Sequence, residues 1–378
     1  MRFIVSTKRF ATVLKQVMPA AGVRSTLPVL TGVRIRATAD GLTLEATDLE
    51  ATARSRLNGD DVTIIETGEA VTPAKPLAKA LAAISSDEVT IEAVDADGKA
   101  RVALYAGSRT VTLDALPAED FPAIPDDSVF EPLASVTAAD LADALARAVL
   151  CASRDEARPV QTSVALFFTE GSASLLVVST DSYRMGVQTV ALSEPATATE
   201  TLLVPARVAK EIAKQMRALR VPAEIGRSAA SSTARFAFVD QEWNTRLIEG
   251  EFPNWRHIVP GETGAAVTFE VAEMASALKA AVAVGNGGGA PVRLSLGETS
   301  TLALADGDTT TIRETLATAS FSPDGVGAIE VAFNPAYLAD ALKFVGEERT
   351  SMWVRDGLKP ALIGPADRRY LLMPVRLS

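Results

Sequence analysis

The sequence predicts an α+β protein made of three tandem copies of one module, each with two helices packed on antiparallel sheets. Helix-like starts recur at Phe10-Ala-Thr-Val-Leu14-Lys15, Leu141-Ala-Asp-Ala-Leu145 and Met274-Ala-Ser-Ala-Leu278-Lys279, spaced by 131 and 133 residues. Pro-Ala pairs that open a second helix fall at Pro73, Pro205 and Pro335, spaced by 132 and 130. The same period links Thr47-Asp48-Leu49 to Thr180-Asp181-Ser182 and Asp120-Phe121-Pro122 to Glu251-Phe252-Pro253. A fixed spacing shared by independent markers is the mark of duplicated units. It divides the chain into modules at 1–127, 128–262 and 263–378. Within each, a weaker likeness places a second helix roughly 65 residues after the first, with strand-like alternation between them.

Those intervening stretches read as sheet. Val33 to Thr38, a turn at Asp40-Gly41, then Leu42 to Thr47 is a hairpin by alternation and turn chemistry. The second module repeats it as Val164 to Phe168, a Glu170-Gly171 turn and Ser174 to Ser179. Asp95-Ala-Asp97-Gly98 closes another hairpin between Val89-Thr-Ile-Glu and Arg101-Val-Ala-Leu. Thr137-Ala-Ala-Asp140 fits an acidic capping box, and each Pro-Ala pair puts proline at or near a first helical turn, where its missing N–H costs nothing. Each helix buries one stripe on a sheet, so the opposite stripe is the informative one.

With 378 residues and 48% hydrophobic content, the chain has material for two or three cores without covalent staples. The single cysteine, Cys151, excludes an intrachain disulfide, and no leader precedes Phe3, which makes the cytoplasm the expectation. The longest apolar runs, Val164 to Phe168 and Leu175 to Val178, fall far short of the roughly 20 residues a membrane helix needs. No membrane partner is expected.

A net charge of −10 argues, by itself, against a binder of phosphates. Distribution matters more than the sum. After Pro205, Arg207, Lys210, Lys214, Arg217 and Arg220 recur at three- and four-residue spacing, which gathers most of them on one helix face. Lys8 and Lys15, then Lys75 and Lys79, repeat the arrangement in the first module, and Lys279 and Lys343 sit on the matching helices of the third. Such a lining contacts phosphates without reading bases.

Enzyme chemistry finds little to work with. His257 and Cys151 are the only histidine and cysteine and lie far apart in sequence, too few for a nucleophile pair or a metal site. Asp306-Gly-Asp308 and Asp95-Ala-Asp97-Gly98 look like fragments of calcium loops, but position 106, where a loop starting at Asp95 needs glutamate, is Ala106. Gly285-Asn-Gly-Gly-Gly289 lacks the Gly-Lys-Ser/Thr ending of a phosphate loop. No catalytic residue, metal or cofactor is expected.

One family accounts for the remaining motifs. Arg24-Ser-Thr-Leu-Pro28-Val-Leu30, Ala46-Thr-Asp-Leu-Glu50, Arg154-Asp-Glu-Ala-Arg158-Pro159-Val160, Thr180-Asp-Ser-Tyr-Arg184-Met185, Glu249-Gly-Glu-Phe-Pro253, Phe333-Asn334-Pro-Ala-Tyr337-Leu338 and Tyr370-Leu-Leu-Met373-Pro374-Val-Arg376-Leu377 run in order along the whole chain. Together they resemble the bacterial DNA polymerase III β subunit family of sliding clamps. The resemblance implies a head-to-tail homodimer whose six modules close a ring, helices inside and sheets outside, by a heterologous contact that two subunits complete. It implies a ring that encircles double-stranded DNA without sequence specificity and tethers the replicative DNA polymerase, with the clamp loader and other carriers of clamp-binding peptides as further partners.

The same resemblance assigns residues. Arg24 and Arg154 join the helix lysines and arginines as DNA contacts. Val111 and Leu113 of one chain meet Ala283 and Val284 of the other. A peptide groove takes Thr180, Ser182, Tyr183, Arg184, Met185, Pro253, His257, Ile258, Asn334, Tyr337, Leu358, Pro360 and the run Leu371, Leu372, Met373, Pro374, Val375, Arg376, Leu377, with Arg184 and Asn334 orienting the peptide. Departures from the family cluster there. Gln161 stands at a position that is usually leucine, Ser182 replaces a common glycine, His257 stands where arginine is frequent, and Asn286-Gly-Gly-Gly289 lacks a bulky end. A polar Gln161 reshapes an apolar pocket unless its amide finds partners. These substitutions are the motive for an alternative expectation, a phage-encoded or second-copy clamp that tolerates a groove-directed inhibitor.

Overall fold

The computed structural model describes the chain except residues 24, 97–98, 125–128, 285–289, 307–308, 324–326 and 377–378, and the side chains at 60, 96, 305–306 and 309–311. It forms two compact units: Met1–Ala142 with Leu192–Ala198 and Glu211–Leu247, and Asp143–Ala191 with Thr199–Lys210 and Ile248–Ser378. Among the described residues there are six α-helices: α1 (Thr7–Val17), α2 (Ala74–Ala82), α3 (Ala138–Ala148), α4 (Ala206–Met216), α5 (Val271–Val284) and α6 (Pro335–Val345). They fall where the repeat puts them. Pro73 is the residue before α2, whereas Pro335 is the first residue of α6. The first amides of α3, at Ala138 and Ala139, donate to the carbonyls of Val221 and Leu219, so main chain meets donors a helix start leaves open.

The first unit holds two antiparallel sheets. One has five strands in the order Val62–Glu66, Arg2–Ser6, Glu88–Ala96, Lys99–Ala106, Arg109–Asp114. The other has eight: Glu131–Thr137, Pro222–Ser228, Thr233–Phe238, Gln241–Arg246, Ala51–Leu57, Gly41–Thr47, Gly32–Thr38, Gly68–Pro73. Its middle seam, where Thr245 faces Ala51 and Gln241 faces Ser55, joins strands from the second half of the second module to strands from the first half of the first.

The second unit repeats that plan. Its nine-stranded sheet runs Glu200–Pro205, Ser163–Phe168, Ser174–Thr180, Arg184–Ala191, Arg368–Leu372, Ala361–Ile363, Arg349–Val354, Ala265–Glu270, Ser320–Ser322, with a seam pairing Arg184 with Leu372 and Gln188 with Arg368. A four-stranded sheet, Thr309–Thr315, Thr301–Asp306, Val292–Leu296, Ile329–Phe333, completes it. Consecutive modules thus share a sheet, so the compact units do not follow the sequence period.

Helices and sheets meet through apolar stripes. Phe10, Val13, Leu14 and Val17 of α1 are buried against the strands Gly41–Thr47 and Ala51–Leu57, with Phe10 and Phe3 rings 6.0 Å apart. In the second unit α5 and α6 bury Met274, Leu278, Leu338 and Phe344 in one core, and Phe344 meets Tyr370 edge-on at 5.5 Å. Each such side chain contributes about 1.5–3 kcal/mol by leaving water. Cys151 is fully buried in the same core, and burial pushes its thiol up to about 12, which makes it an inert packing residue.

The eight-stranded sheet also carries charge inside. Arg34, Glu45, Arg54, Glu242 and Arg235 lie on five successive strands. Arg34 Nη2 is 2.7 Å and Arg54 Nε 2.8 Å from Glu45, while Arg54 and Arg235 reach Glu242 at 3.5 and 3.3 Å. Both glutamates are 1% exposed. Burial raises the Glu45 carboxyl, but the guanidiniums of Arg54 and Arg34 outweigh it and hold it below its ordinary value. Phe121 covers one end, with the Arg34 guanidinium 4.6 Å from its ring centre.

Candidate functional site

The repeated Thr-Asp dipeptides build one device twice. After Thr47-Asp48 and after Thr180-Asp181 the chain enters the left-handed region, Leu49 and Ser182 both at φ 76°. The Thr47 hydroxyl accepts from Leu49 N–H and donates to Ala51 C=O, while Thr180 does the same with Ser182 and Arg184. Asp48 Oδ1 accepts from the amides of Glu50 and Ala51, and Asp181 Oδ1 from those of Tyr183 and Arg184. A short polar side chain bonding its own backbone sets a tight turn. Each turn stands beside a seam between modules.

In the second unit the turn opens onto a groove of about 190 Å³. Its floor is Met185 and Leu371, on paired strands; Pro253, Ile258 and Pro360 wall it; Gln161, Thr180, Ser182, Tyr183, Arg184 and Met373 complete the lining. Below the floor, Met185 and Leu371 pack with Val178, Leu362 and Trp255, so the apolar surface rests on a rigid base. Gln161 does find a partner. Its Nε2 donates to Ser182 Oγ at 2.9 Å, and Arg158 Nη1 donates to the same hydroxyl at 3.4 Å. Two departures from the family pattern are thus one contact.

A larger neighbouring cavity, about 510 Å³, shares Tyr183 and Arg184 with the groove and adds Arg154, Asp155, Arg158, Asp181, Tyr337 and Asp340. Tyr183 and Tyr337 stack at 6.4 Å. Tyr337 therefore belongs to this second chamber, and so does Arg154, expected as a DNA contact.

Several expected wall residues have other work. Arg184 donates to Asp181 at 2.9 Å and to Asp340 at 2.7 Å, and its guanidinium lies 4.2 Å over the Tyr337 ring, so it holds α6 against the groove that it also lines. Asn334 caps α6, its Oδ1 accepting from Ala336 and Tyr337 N–H, and it is not among the residues that line the groove. Leu372 alternates with Leu371 and points into the core, fully buried, instead of forming the wall. His257, Leu358, Val375 and Arg376 are exposed and outside the groove lining, as is the half-buried Pro374, and Val375 N–H donates to Ala332 C=O. Leu377, Arg24 and the loop 286–289 lie outside the described residues. Asp181, Asp340 and Arg158 were missed as determinants. Asp181, inside the repeated Thr-Asp pair, and Arg158, inside the Arg154 to Val160 motif, carried a signal, whereas Asp340 carried none.

The basic helix faces are exposed. Arg207, Lys210 and Lys214 on α4 and Arg217 just beyond it face solvent, while Val208, Ile212 and Met216 are buried. Lys15, Lys75, Lys79, Lys279 and Lys343 are exposed as well. Lys214 pairs with Glu211 at 2.7 Å and Lys343 with Asp340 at 2.9 Å, contacts that surface screening makes cheap to exchange. The matching face of α3 is acidic, with Asp140 and Asp143 exposed, and Arg147 donates both to Asp143 and to the carbonyls of Phe344 and Val345. Val111 and Leu113 are half-buried on the edge strand Arg109–Asp114, and Ala283 and Val284 are exposed at the end of α5. Among the described residues no group of acidic, histidine and cysteine side chains could hold a metal ion, and no helix is long and apolar enough to cross a membrane.

Comparison with known proteins converges on one family. Family models described as the N-terminal, central and C-terminal domains of the DNA polymerase III beta subunit match residues 1–125, 135–254 and 256–376. The chain is 30% identical over 368 residues to a beta sliding clamp of Streptomyces coelicolor, covering 94% of both chains, and 26% identical over 385 residues to that of Vibrio cholerae, covering 100% of both. Its fold matches the crystal structure of a Bacillus subtilis DNA polymerase sliding clamp with a TM-score of 0.91 at 22% identity, and a Pseudomonas aeruginosa sliding clamp bound to griselimycin with 0.89 at 23%, each covering 100% of both chains. Nothing among these relatives favours the phage-encoded or second-copy alternative. Three consecutive family matches spanning nearly every residue place the chain in the DNA polymerase III beta subunit family, the bacterial beta sliding clamps.

Proposed function

We propose that two copies of this chain close a ring around double-stranded DNA, hold the replicative polymerase and other peptide-bearing partners through the groove of Met185 and Leu371, and catalyse no reaction. The domains are then 1–127, 128–262 and 263–378, and the protein works in the cytoplasm with its DNA. The observation that carries the reading is two unmatched half-sheets. At both internal seams the last strand of a later module, Gln241–Arg246 or Arg368–Leu372, pairs with the third hairpin strand of an earlier one, Ala51–Leu57 or Arg184–Ala191. The repeat equivalents left over are Arg109–Asp114 and Thr309–Thr315, each an edge strand of its sheet. An open edge is a template for another chain. Pairing Arg109–Asp114 of one protomer with Thr309–Thr315 of another reproduces the internal seam and, used twice, closes a dimer.

The half-buried Val111 and Leu113 support that edge, and α5, which ends in Ala283 and Val284, packs on Thr301–Asp306 and Thr309–Thr315. Exposed Arg207, Lys210, Lys214 and Arg217 on one helix face supply non-specific phosphate contacts despite the net charge of −10. Two measurements test the proposal together. The native particle has the mass of a dimer, and protein loaded on a nicked circle stays through gel filtration at moderate salt but is lost once the circle is cut. A monomer at all concentrations, or equal loss from circle and linear DNA, overturns it.

A further inference from the structure

Three strands of the repeat receive a neighbouring hairpin: Ala51–Leu57, Arg184–Ala191 and, on the dimer reading, Thr309–Thr315. At both internal seams the contact ends alike, with Arg56 N–H donating to Asp240 C=O and Thr189 N–H to Asp367 C=O, each at 2.9 Å. Sheet register makes Glu314 their counterpart, because Arg56, Thr189 and Glu314 face the equivalent residues Thr43, Leu176 and Leu302 on the preceding strand. Asp240 and Asp367 each stand immediately before a donated strand, as Ser108 stands before Arg109–Asp114. On that reading the third seam ends where Glu314 N–H meets Ser108 C=O of the partner subunit.

The segment after each receiving strand is tied down. In the first module Arg9 of α1 binds Asp61 at 2.8 Å; in the second, Ser193 and Thr197 N–H donate to the Ser135 and Leu133 carbonyls at 2.8 and 3.0 Å. In the third the anchor is Glu273 of α5, which precedes Met274 as Arg9 precedes Phe10. Its Oε1 accepts from Ala317 N–H at 2.7 Å, and its Oε2 from Thr318 N–H at 3.1 Å and from the Thr318 hydroxyl. That hydroxyl in turn accepts from Glu270 N–H at 3.1 Å. Only Thr315 and the buried Leu316 separate this clasp from Glu314. Ala317 and Thr318 are exposed, so water can take the carboxylate's place without opening the core. What the carboxylate supplies is a fixed course for the chain leaving the edge strand, and a segment that must be ordered on association weakens it.

We propose that Glu273 is the positioning residue of ring closure: by binding Ala317 and Thr318 to the start of α5, it presents the end of Thr309–Thr315 ready-formed to a second copy of the chain. The proposal rests on reading Thr309–Thr315 as the strand that receives the partner. Because α5 also packs on Thr301–Asp306 and Thr309–Thr315, helix and edge strand meet the partner as one body.

The test compares the full-length protein with Glu273→Ala by sedimentation without DNA, by residence on a nicked circle and by amide hydrogen exchange. A loss at each of two identical seams enters the dimer dissociation constant twice and the opening of one seam once. Glu273→Ala is therefore expected to raise the dissociation constant about a hundredfold and to shorten residence on the circle about tenfold. Circular dichroism stays unchanged, and faster exchange is confined to residues 312–318. Thr318→Val, which removes only the hydroxyl, causes a smaller loss in the same direction and adds little to Glu273→Ala, since the two side chains act through one contact. A Glu273→Ala dimer as tight as the parent dimer, unchanged exchange at 312–318, or full additivity with Thr318→Val overturns the proposal and leaves the ring standing. A parent protein that is monomeric at all concentrations overturns the ring reading and the proposal with it.

Discussion

The Gln161 amide and the Ser182 hydroxyl face each other 2.9 Å apart at the lip of the groove, at the two positions where the family resemblance leads one to expect leucine and glycine. Ser182 holds its hydroxyl there because the Thr180-Asp181 turn fixes it at φ 76°. The pair converts one wall of an apolar pocket into a polar surface whose hydrogen bonds are already made internally.

Replacing Gln161 with leucine therefore changes affinity without harming the fold. Ser182 Oγ keeps Arg158 as a donor at 3.4 Å and faces solvent, so no buried orphan is created. The added apolar contact for a leucine-bearing peptide is worth about 1 kcal/mol, roughly fivefold in Kd. Isothermal titration with a Leu-Phe clamp-binding pentapeptide checks this. Equal affinity before and after Gln161→Leu sinks the view that this pair sets the preference.

Leu49 is the twin of Ser182 without its side-chain contact. It holds φ 76° with a bulky, half-exposed side chain, a conformation that costs a non-glycine residue about 1–2 kcal/mol. Leu49→Gly removes that cost and adds back about 0.5–1 kcal/mol of unfolded-state entropy. A net gain of roughly 0.5–1 kcal/mol, seen as a small rise in Tm, is expected. A fall in Tm means that Leu49 packs in a way its exposure hides.

The repeat, the helices and the hairpins were legible because period and turn chemistry act locally. Asp40-Gly41 reads as a hairpin turn and Gly41 indeed takes φ 138°. The charge ladder was not legible. Arg34, Glu45 and Arg54 alternate with apolar or small residues along their strands, and Glu242 lies in the largely polar run Gln241–Arg246, patterns that read as a solvated face, and only cross-strand pairing and the cover from Phe121 put them inside. The groove was half legible. Met185, Leu371 and Gln161 line it as expected, but the partnership of Arg184 with Asp340, 156 positions later, leaves no trace in local spacing.

The ladder makes a pH prediction with a definite sign. Glu45 is held below its ordinary 4.5 in the folded chain, so the stability it contributes is present above that value and is lost as pH falls through the folded one. Urea midpoints are expected to drop on acidification below the ordinary glutamate range, and Glu45→Gln is expected to flatten that part of the dependence. At neutral pH the same variant leaves the buried Arg34 guanidinium against a neutral amide, while Arg54 keeps Glu242, and it costs about 3–5 kcal/mol. A Glu45→Gln protein as stable as its parent at pH 7 is incompatible with the buried network.

Neutralising Lys210, Lys214 and Arg217 tests the phosphate contacts separately from the ring. All three are exposed and carry no core packing, so Tm is expected to stay within experimental error. Each lost phosphate contact reduces the slope of log affinity against log salt by about 0.9 for duplex DNA. A slope unchanged across all three substitutions places the DNA surface elsewhere.

Closure itself is tested at the free edge. Leu113 is half-buried on Arg109–Asp114, whose equivalents Gln241–Arg246 and Arg368–Leu372 are each paired on both sides. A charge there stays hydrated in a lone protomer but is desolvated when another strand covers it, at a cost of several kcal/mol. Leu113→Asp is therefore expected to leave circular dichroism and Tm of the protomer intact while shifting the sedimenting species from dimer to monomer and abolishing retention on circular DNA. A Leu113→Asp dimer of unchanged dissociation constant excludes this edge from the interface, and with it the third shared sheet that closes the ring.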